Sequence, residues 1–350
     1  MKPLITALVD TYNHERYIEQ AIVSVLEQDF PAPELEIVVV DDGSTDRTAK
    51  IVGKFASRVR LLSKKNGGQA SAFNAGIPES HGQFVALLDG DDWWAKGKLA
   101  AVLDSFERNP EDAAVGHGYY EFQQATSEVR VCAPAETKFL NLATPEAARE
   151  ALHNWRFLLP SALTVRRKVL EQVMPIPEVL VFSADGPFQV ASMAAGVRVL
   201  QEPLFYYRHH ADNLYAVDPK NMTKMRRKCD LYGVVIDVLE AQLIRSGVPL
   251  ESVEALLYPL WTDVNRVSLS TFGGSRLKAF RTEMRSFHSE FKNPSLGYLL
   301  FKYFVVGTAT LLLPPRRFYQ ARDWYAQRNV KRFREQLCKT DVNTSKASML

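Results

Sequence analysis

Residues Phe84 to Trp94 read FVALLDGDDWW: a short apolar run ends in three aspartates within four positions, and two tryptophans follow. An apolar run of this length bounded by turn residues reads as a buried strand. Carboxylates crowded at its end repel one another, and they are tolerated where a cation or hydrogen-bond donors compensate. The strand is one of four. Leu4 to Val9, Glu36 to Val40 and Val59 to Leu62 are similar runs, and the segments between them have helical spacing. Arg16 to Gln28 places Tyr17, Ile18, Ala21, Ile22, Val25 and Leu26 on one face, and Asp46 to Ala56, Gln69 to Ile77 and Lys98 to Arg108 continue the alternation. Strands and helices alternating over short links predict a parallel sheet covered on both faces, with ligands at the carboxyl ends of the strands.

After Pro110 the pattern changes. Val115 to Phe122 and Glu128 to Cys132 read as strands, Pro145 to Asn154 as a helix, and Ser161 to Met174 as a strand-helix pair, an α+β elaboration of the same sheet. From about Asn221 the chain reads as helical. The expected organisation is a nucleotide-binding half over residues 1–110, a half for acceptor and catalytic base over 111–220, a helical region over 221–342 and a disordered tail over 343–350.

A net charge of +3 over 350 residues selects no nucleic-acid partner through a global field. Cys132, Cys229 and Cys338 are widely spaced, without a CxxC pair, which fits a reducing compartment. Polar residues interrupt the N-terminal apolar run too soon for an export signal. Gly297 to Leu313 is near the lower limit for a spanning helix and contains Lys302, so it falls short of one. Beyond it, Arg316, Arg317, Arg322, Arg328, Lys331, Arg332 and Arg334 alternate with Phe318, Tyr319, Trp324, Tyr325 and Phe333. Such a pattern suits a helix on an anionic membrane surface, or a charged helix packing its aromatics on the domain.

Two acidic clusters fall at strand ends: VVVDDGSTD (Val38 to Asp46) and LLDGDDWW (Leu87 to Trp94). In a parallel sheet both share an edge with the turn DTYNHE, Asp10 to Glu15. Turn and capping chemistry explains the first cluster equally well. The second fails the EF-hand template, because Trp93 and Trp94 stand at its fifth and sixth positions. Few hard oxygen donors suit Mg²⁺ or Mn²⁺ completed by water and substrate phosphates. No GxGxxG or GxxxxGK[ST] is present to cradle phosphate. Gly67 and Gly68 either open the next helix toward an anion or form an ordinary turn.

TYN (Thr11 to Asn13), VVVDDGSTD, NGGQASAFNAGI (Asn66 to Ile77) and LLDGDDWW resemble, in order and spacing, the inverting nucleotide-sugar-dependent glycosyltransferases of family 2; a weaker match extends to YYRHH, Tyr206 to His210. The resemblance implies an α/β fold of GT-A type, in which a single Rossmann-like half with a mixed sheet is fused to an acceptor half. It also implies a divalent cofactor, Mn²⁺ or Mg²⁺. It assigns Thr11, Asn13, Glu15, Asp42, Gly68, Asn74 and Asp89 to the nucleotide sugar, and Asp91, Asp92 and His210 to the metal, with Asp91 preferred over Asp92 as direct ligand. Trp93 and Trp94 offer aromatic faces to an acceptor, or else pack the following helix. Two positions depart from the commonest pattern: Asp10 replaces proline, and Phe73 stands where arginine is frequent.

Inverting transfer asks for a carboxylate to take the acceptor's hydroxyl proton. In FSADGPF (Phe182 to Phe188), Asp185 stands where the family carries a glutamate-aspartate motif, with Ala184 in place of the glutamate. A helix N-cap by Ser183 or Asp185 before Pro187 is compatible with that role. The expected function is metal-dependent transfer from a nucleoside-diphosphate sugar to a glycan or lipid-linked saccharide, in the cytoplasm or peripherally at the inner membrane face. The alternatives are a nucleotidyltransferase and a non-catalytic binding relative. Processive synthases carry QxxRW, which QARDW (Gln320 to Trp324) does not match.

Overall fold

The computed structural model describes residues 3–180, 183–210, 213, 222–290 and 296–322. In chain order the first elements are β1 (Ile5–Thr11), α1 (Ile18–Leu26), β2 (Leu35–Asp41), α2 (Thr48–Gly53), β3 (Arg60–Ser63), α3 (Gln69–Gly76) and β4 (Phe84–Asp89). Then follow β5 (Trp93–Trp94), α4 (Lys98–Arg108), β6 (Ala114–Gln123), β7 (Glu128–Cys132), β8 (Lys138–Leu140), α5 (Pro145–Asn154), β9 (Thr164–Arg166), α6 (Arg167–Glu171), α7 (Gly186–Ala195) and β10 (Val197–His209).

One sheet runs in the order β3-β2-β1-β4-β9-β6-β10-β5, with β7 on β6 and β8 on β10. The first four strands are parallel, as the alternation predicts. Beyond them the sheet is mixed, as the GT-A resemblance implies, because β9 runs antiparallel between β4 and β6. Ile5, Ala7, Leu8, Val9, Val38, Val39, Val40 and Val85 through Leu88 are fully buried, which is why these strands read as continuous apolar runs and do not alternate. The register sets Asp10 beside Asp89 and Thr11 beside Asp41, so the polar strand ends share one edge. At α5, Thr144 caps the helix by accepting from the Ala147 N–H, with Pro145 in the first turn.

Strands from both expected N-terminal halves thus join in a single sheet. The compact unit built on it comprises Met1–Pro219 with Val234–Leu257. A second unit, Lys220–Gly233 with Tyr258–Leu350, is helical where described. The C-terminal helices are α8 (Met222–Arg245), α9 (Leu250–Phe272), α10 (Arg276–Glu290) and α11 (Leu296–Leu312). Within the second unit, Leu269, Ala279, Phe318 and Tyr319 form a core. Arg266 grips the buried Glu283 through two hydrogen bonds of 3.0 and 2.9 Å. Trp324, Tyr325, Phe333, the basic residues from Arg328 on and the expected tail over 343–350 lie outside the described residues.

Candidate active site

The strand ends open onto a cavity of about 270 Å³, lined among others by Asp10, Thr11, His14, Asp42, Gly68, Gln69, Asp89, Asp91, Asp185, Tyr207 and Asn213. Its floor is a pair of carboxyls on neighbouring strands. Gln69 Nε2 donates to Asp89 Oδ1 at 2.9 Å and to Asp10 Oδ2 at 3.3 Å. Burial pushes the Asp10 carboxyl up to about 7, against hydrogen bonds with Asp89 and Gln69. Asp89 is also raised well above the usual carboxylate range, by burial and then by the charges of Asp10, Asp92 and Asp91. Burial and mutual repulsion thus disfavour two negative charges on this pair.

The two aspartates that follow Gly90 have different surroundings. Asp92 is buried: its Oδ2 accepts from Ser161 Oγ at 2.7 Å and its Oδ1 from the Arg208 N–H at 2.9 Å. Lys98, also fully buried, donates to the Ser161 carbonyl at 2.6 Å; burial pushes its amine well below the usual range, against the nearby charge of Asp92. Asp91 lines the cavity instead. Its Oδ2 is 3.0 Å from His210 Nε2 and 4.0 Å from His14 Nε2. Burial would raise the Asp91 carboxyl, but the His210 hydrogen bond and the charges of His14 and His210 hold it below its usual range.

The donor set suits a hard divalent cation. Ligand atoms of Asp89, Asp91 and Asp92 lie within 4.8 Å of one another, and buried Thr11 Oγ1 and His14 Nδ1 have no hydrogen-bond partner. Between them Gly90 leaves space: a Cβ there would meet Thr11 Oγ1 at 2.8 Å and His14 Nδ1 at 2.9 Å. Asp92 belongs to this group by distance alone, since both its oxygens are already engaged and it does not line the cavity.

Asp42 is saturated by the protein. Lys64 Nζ donates to it at 2.6 Å and the Gly67 and Gly68 N–H groups at 2.7 to 3.1 Å, so the anion at this glycine turn is the chain's own carboxylate. Asn13 and Glu15 act as loop clamps. Asn13 accepts from the Thr45 N–H and donates its own N–H to Ser44, while Glu15 receives the Arg47 N–H and its own N–H meets Asp46. Neither lines the cavity. Asn74 exchanges two 2.8 Å hydrogen bonds with the Ile176 backbone and so tethers the approach to α7, away from the cavity.

Asp185 occupies the N-cap position of α7, where its side chain makes no capping bond. It lines the cavity and accepts from Gln189 Nε2 at 2.5 Å. Burial raises its carboxyl to about 6, against the backbone N–H groups of Asp185 and Gly186. Phe73 accounts for the missing arginine: fully buried, it meets Phe188 of α7 edge-on at 5.4 Å and packs α3 against the helix that carries Asp185.

The tryptophans pack. Trp93 stacks on Tyr206 at 4.7 Å and receives the Arg208 guanidinium at 4.4 Å, while buried Trp94 has Lys98 Nζ 4.3 Å from its ring. Neither lines the cavity. Sequence reasoning missed Gln69, Ser161, Lys98, Arg208 and His14. Arg208 lay inside a noted motif, but nothing local marks Ser161 as the partner of Asp92.

Residues 6–174 match the profile of glycosyl transferase family 2. An uncharacterized glycosyltransferase of Bacillus subtilis, EpsJ, is 30% identical over 63% of this chain and 65% of its own length. An uncharacterized glycosyltransferase of a Nostoc species, alr2836, is 32% identical over 60% and 66%. The chain thus spans just under two thirds of these relatives. Among solved structures, residues 1–349 of Staphylococcus aureus TarS, crystallised with UDP-GlcNAc, superpose with a TM-score of 0.53 at 21% identity, over 88% of this chain and 91% of that one. With these matches over the sheet that builds the cavity, residues 6–174 form a domain of the glycosyl transferase family 2 type, carried on a GT-A fold.

Proposed function

We propose that the protein is a divalent-cation-dependent, inverting glycosyltransferase that moves a sugar from a nucleoside diphosphate to a hydroxyl of a glycan or lipid-linked saccharide. The observation that supports this most is one cavity lined by Asp89, Asp91 and Asp185 together. Mg²⁺ or Mn²⁺, held by Asp91 with His210 and Asp89 beside it, would supply positive charge to the departing diphosphate. The engagement of Asp92 with Ser161 and Arg208 favours Asp91 as the ligand.

The rest of the reaction falls to the chain. Asp185 accepts the acceptor hydroxyl's proton as the oxygen attacks the anomeric carbon opposite the leaving group. The new C–O bond forms as the bond to phosphate breaks, and the nucleoside diphosphate leaves. A carboxyl raised to about 6 suits this role, being largely ionised at neutral pH yet more basic than an exposed aspartate. Gln189 fixes its orientation. Thr11, Asp42 and Gly68 line the same cavity and are proposed to face the nucleoside, and Asp42 would exchange a Lys64 or glycine donor for the base.

TarS binds UDP-GlcNAc on this fold, so UDP-sugars are the first donors to test. Unpaired Cys132 and Cys229 fit a cytoplasmic setting. A thermal-shift screen of UDP-, GDP- and dTDP-sugars with and without Mn²⁺ tests the reading, because a ligand of the native state raises its stability. A shift that requires both donor and Mn²⁺ is expected. Failure of every donor to shift the protein with Mn²⁺ present would refute it.

A further inference from the structure

Helix α11 carries two apolar faces. The inner face is accounted for: Val306 and Ala309 pack on the core of the second unit, Gly307 sits against Phe280 and Met284, and Thr310 is buried. The outer face comprises Phe304, Val305, Thr308, Leu311 and Leu312, whose spacing of i, i+1, i+4, i+7 and i+8 is one stripe of a 3.6-residue helix. Phe304 is 73% exposed and Leu312 69%, with Val305 at 47% and Leu311 at 44%. Leu313 follows, also exposed, and Leu277 is exposed at the start of α10. Large apolar residues gathered on one solvent face mark an interaction surface.

The charge around the patch selects its occupant. From Leu296 to Arg322 the sequence contains no aspartate or glutamate, but it contains Lys302, Arg316, Arg317 and Arg322. Arg322 is 3.5 Å from Glu283, whereas Arg316 and Arg317 are exposed and form no ion pair among the described residues. Exposed Arg276 and Lys278 flank Leu277, just beyond the turn at Gly273, where a Cβ would lie 3.9 Å from that of Arg316. A second copy of the chain would set these cations against their own kind; an anionic surface complements them. No helix among the described residues is long and apolar enough to cross a membrane, so α11 is not a span. Phe318 and Tyr319, expected as interfacial aromatics, are buried in the core of this unit and contribute nothing to the patch.

We infer that the outer face of α11 docks in the plane of an anionic lipid bilayer, with Phe304, Val305, Leu311 and Leu312 at the acyl boundary and Arg316 and Arg317 among the headgroups. The inference stands apart from sugar transfer, since vesicle binding is measured without donor or metal.

The test is co-sedimentation of the full chain with vesicles of phosphatidylcholine alone and of phosphatidylcholine mixed with phosphatidylglycerol. Binding to the mixed vesicles, weakened by salt, is expected. F304S/L312S should lower it by more than about tenfold, and R316Q and R317Q by roughly fivefold each. R316Q/R317Q leaves the apolar face intact and keeps the test decisive should the serine variant fail to fold. Three results would overturn the inference: no binding to mixed vesicles, unchanged binding by both double variants, or a dimer by light scattering that F304S/L312S converts to monomer.

Discussion

His210 Nε2 lies 3.0 Å from Asp91 Oδ2, which ties the residue just past β10 to the loop that leaves β4. The contact brings a residue from the end of β10 to the carboxylate proposed to hold the cation. Whether His210 binds the ion or orients Asp91, its loss should weaken Mn²⁺ binding about 10- to 100-fold in calorimetric titrations with nucleoside diphosphate present. Unchanged Mn²⁺ affinity in H210A would remove His210 from the site.

Asp185 should set the acid limb of the pH profile. A base works only when ionised, so with saturating donor the rate should fall about tenfold per pH unit below the carboxyl's value of about 6. D185N should lose about 10²- to 10⁴-fold in transfer, and the limb with it. A limb that persists in D185N would belong to another group.

The same carboxyl has a stability consequence of definite sign. Its folded pKa of about 6 stands above the ordinary carboxyl value of 3.8, so its favourable contribution is complete below the lower value and is lost as pH rises through the higher one. D185N should therefore melt higher than the wild type at pH 8, by up to about 3 kcal/mol in unfolding free energy, and the difference should vanish near pH 4. Equal melting temperatures at both pH values would count against a desolvated Asp185.

Asp91 and Asp92 should part company under mutation. D92A leaves the Arg208 N–H and Ser161 without their acceptor and buried Lys98 without its nearby charge, so it should cost about 3–5 kcal/mol in chemical denaturation. D91N, in the cavity wall, should change stability by about 1 kcal/mol or less while abolishing Mn²⁺-dependent donor binding. The reverse pattern would make Asp92 the ligand.

Gly90 keeps the floor of the site open. A Cβ there would meet Thr11 Oγ1 at 2.8 Å and the Asp10 carbonyl and His14 Nδ1 at 2.9 Å. G90A should cost about 1–3 kcal/mol in stability through overpacking. Donor affinity in G90A that matches the wild type would show that the crevice is not used.

Much of the fold was readable because buried parallel strands need long apolar runs, and amphipathic α1 and α4 keep helical spacing over many residues. The strand of β9 was read within Ser161 to Met174, but its antiparallel place between β4 and β6 was not, because three residues do not specify their neighbours. Roles within the site divided along the same line. Asp91 and Asp92 are neighbours of one residue type, and only Ser161 and Arg208, 69 and 116 residues away from Asp92, separate them. Asn74 sits in a family segment but faces Ile176, 102 residues on, a contact that only the assembled fold creates.

The division of labour between Asp91 and Asp185 is tested most directly by measuring Mn²⁺-dependent nucleoside-diphosphate binding and single-turnover transfer side by side in D91N and D185N. D185N should bind like the wild type, within a few-fold, and transfer at least about a hundredfold more slowly, whereas D91N should lose the binding itself. Near-wild-type transfer by D185N, or undiminished Mn²⁺-dependent binding by D91N, would contradict the assignment.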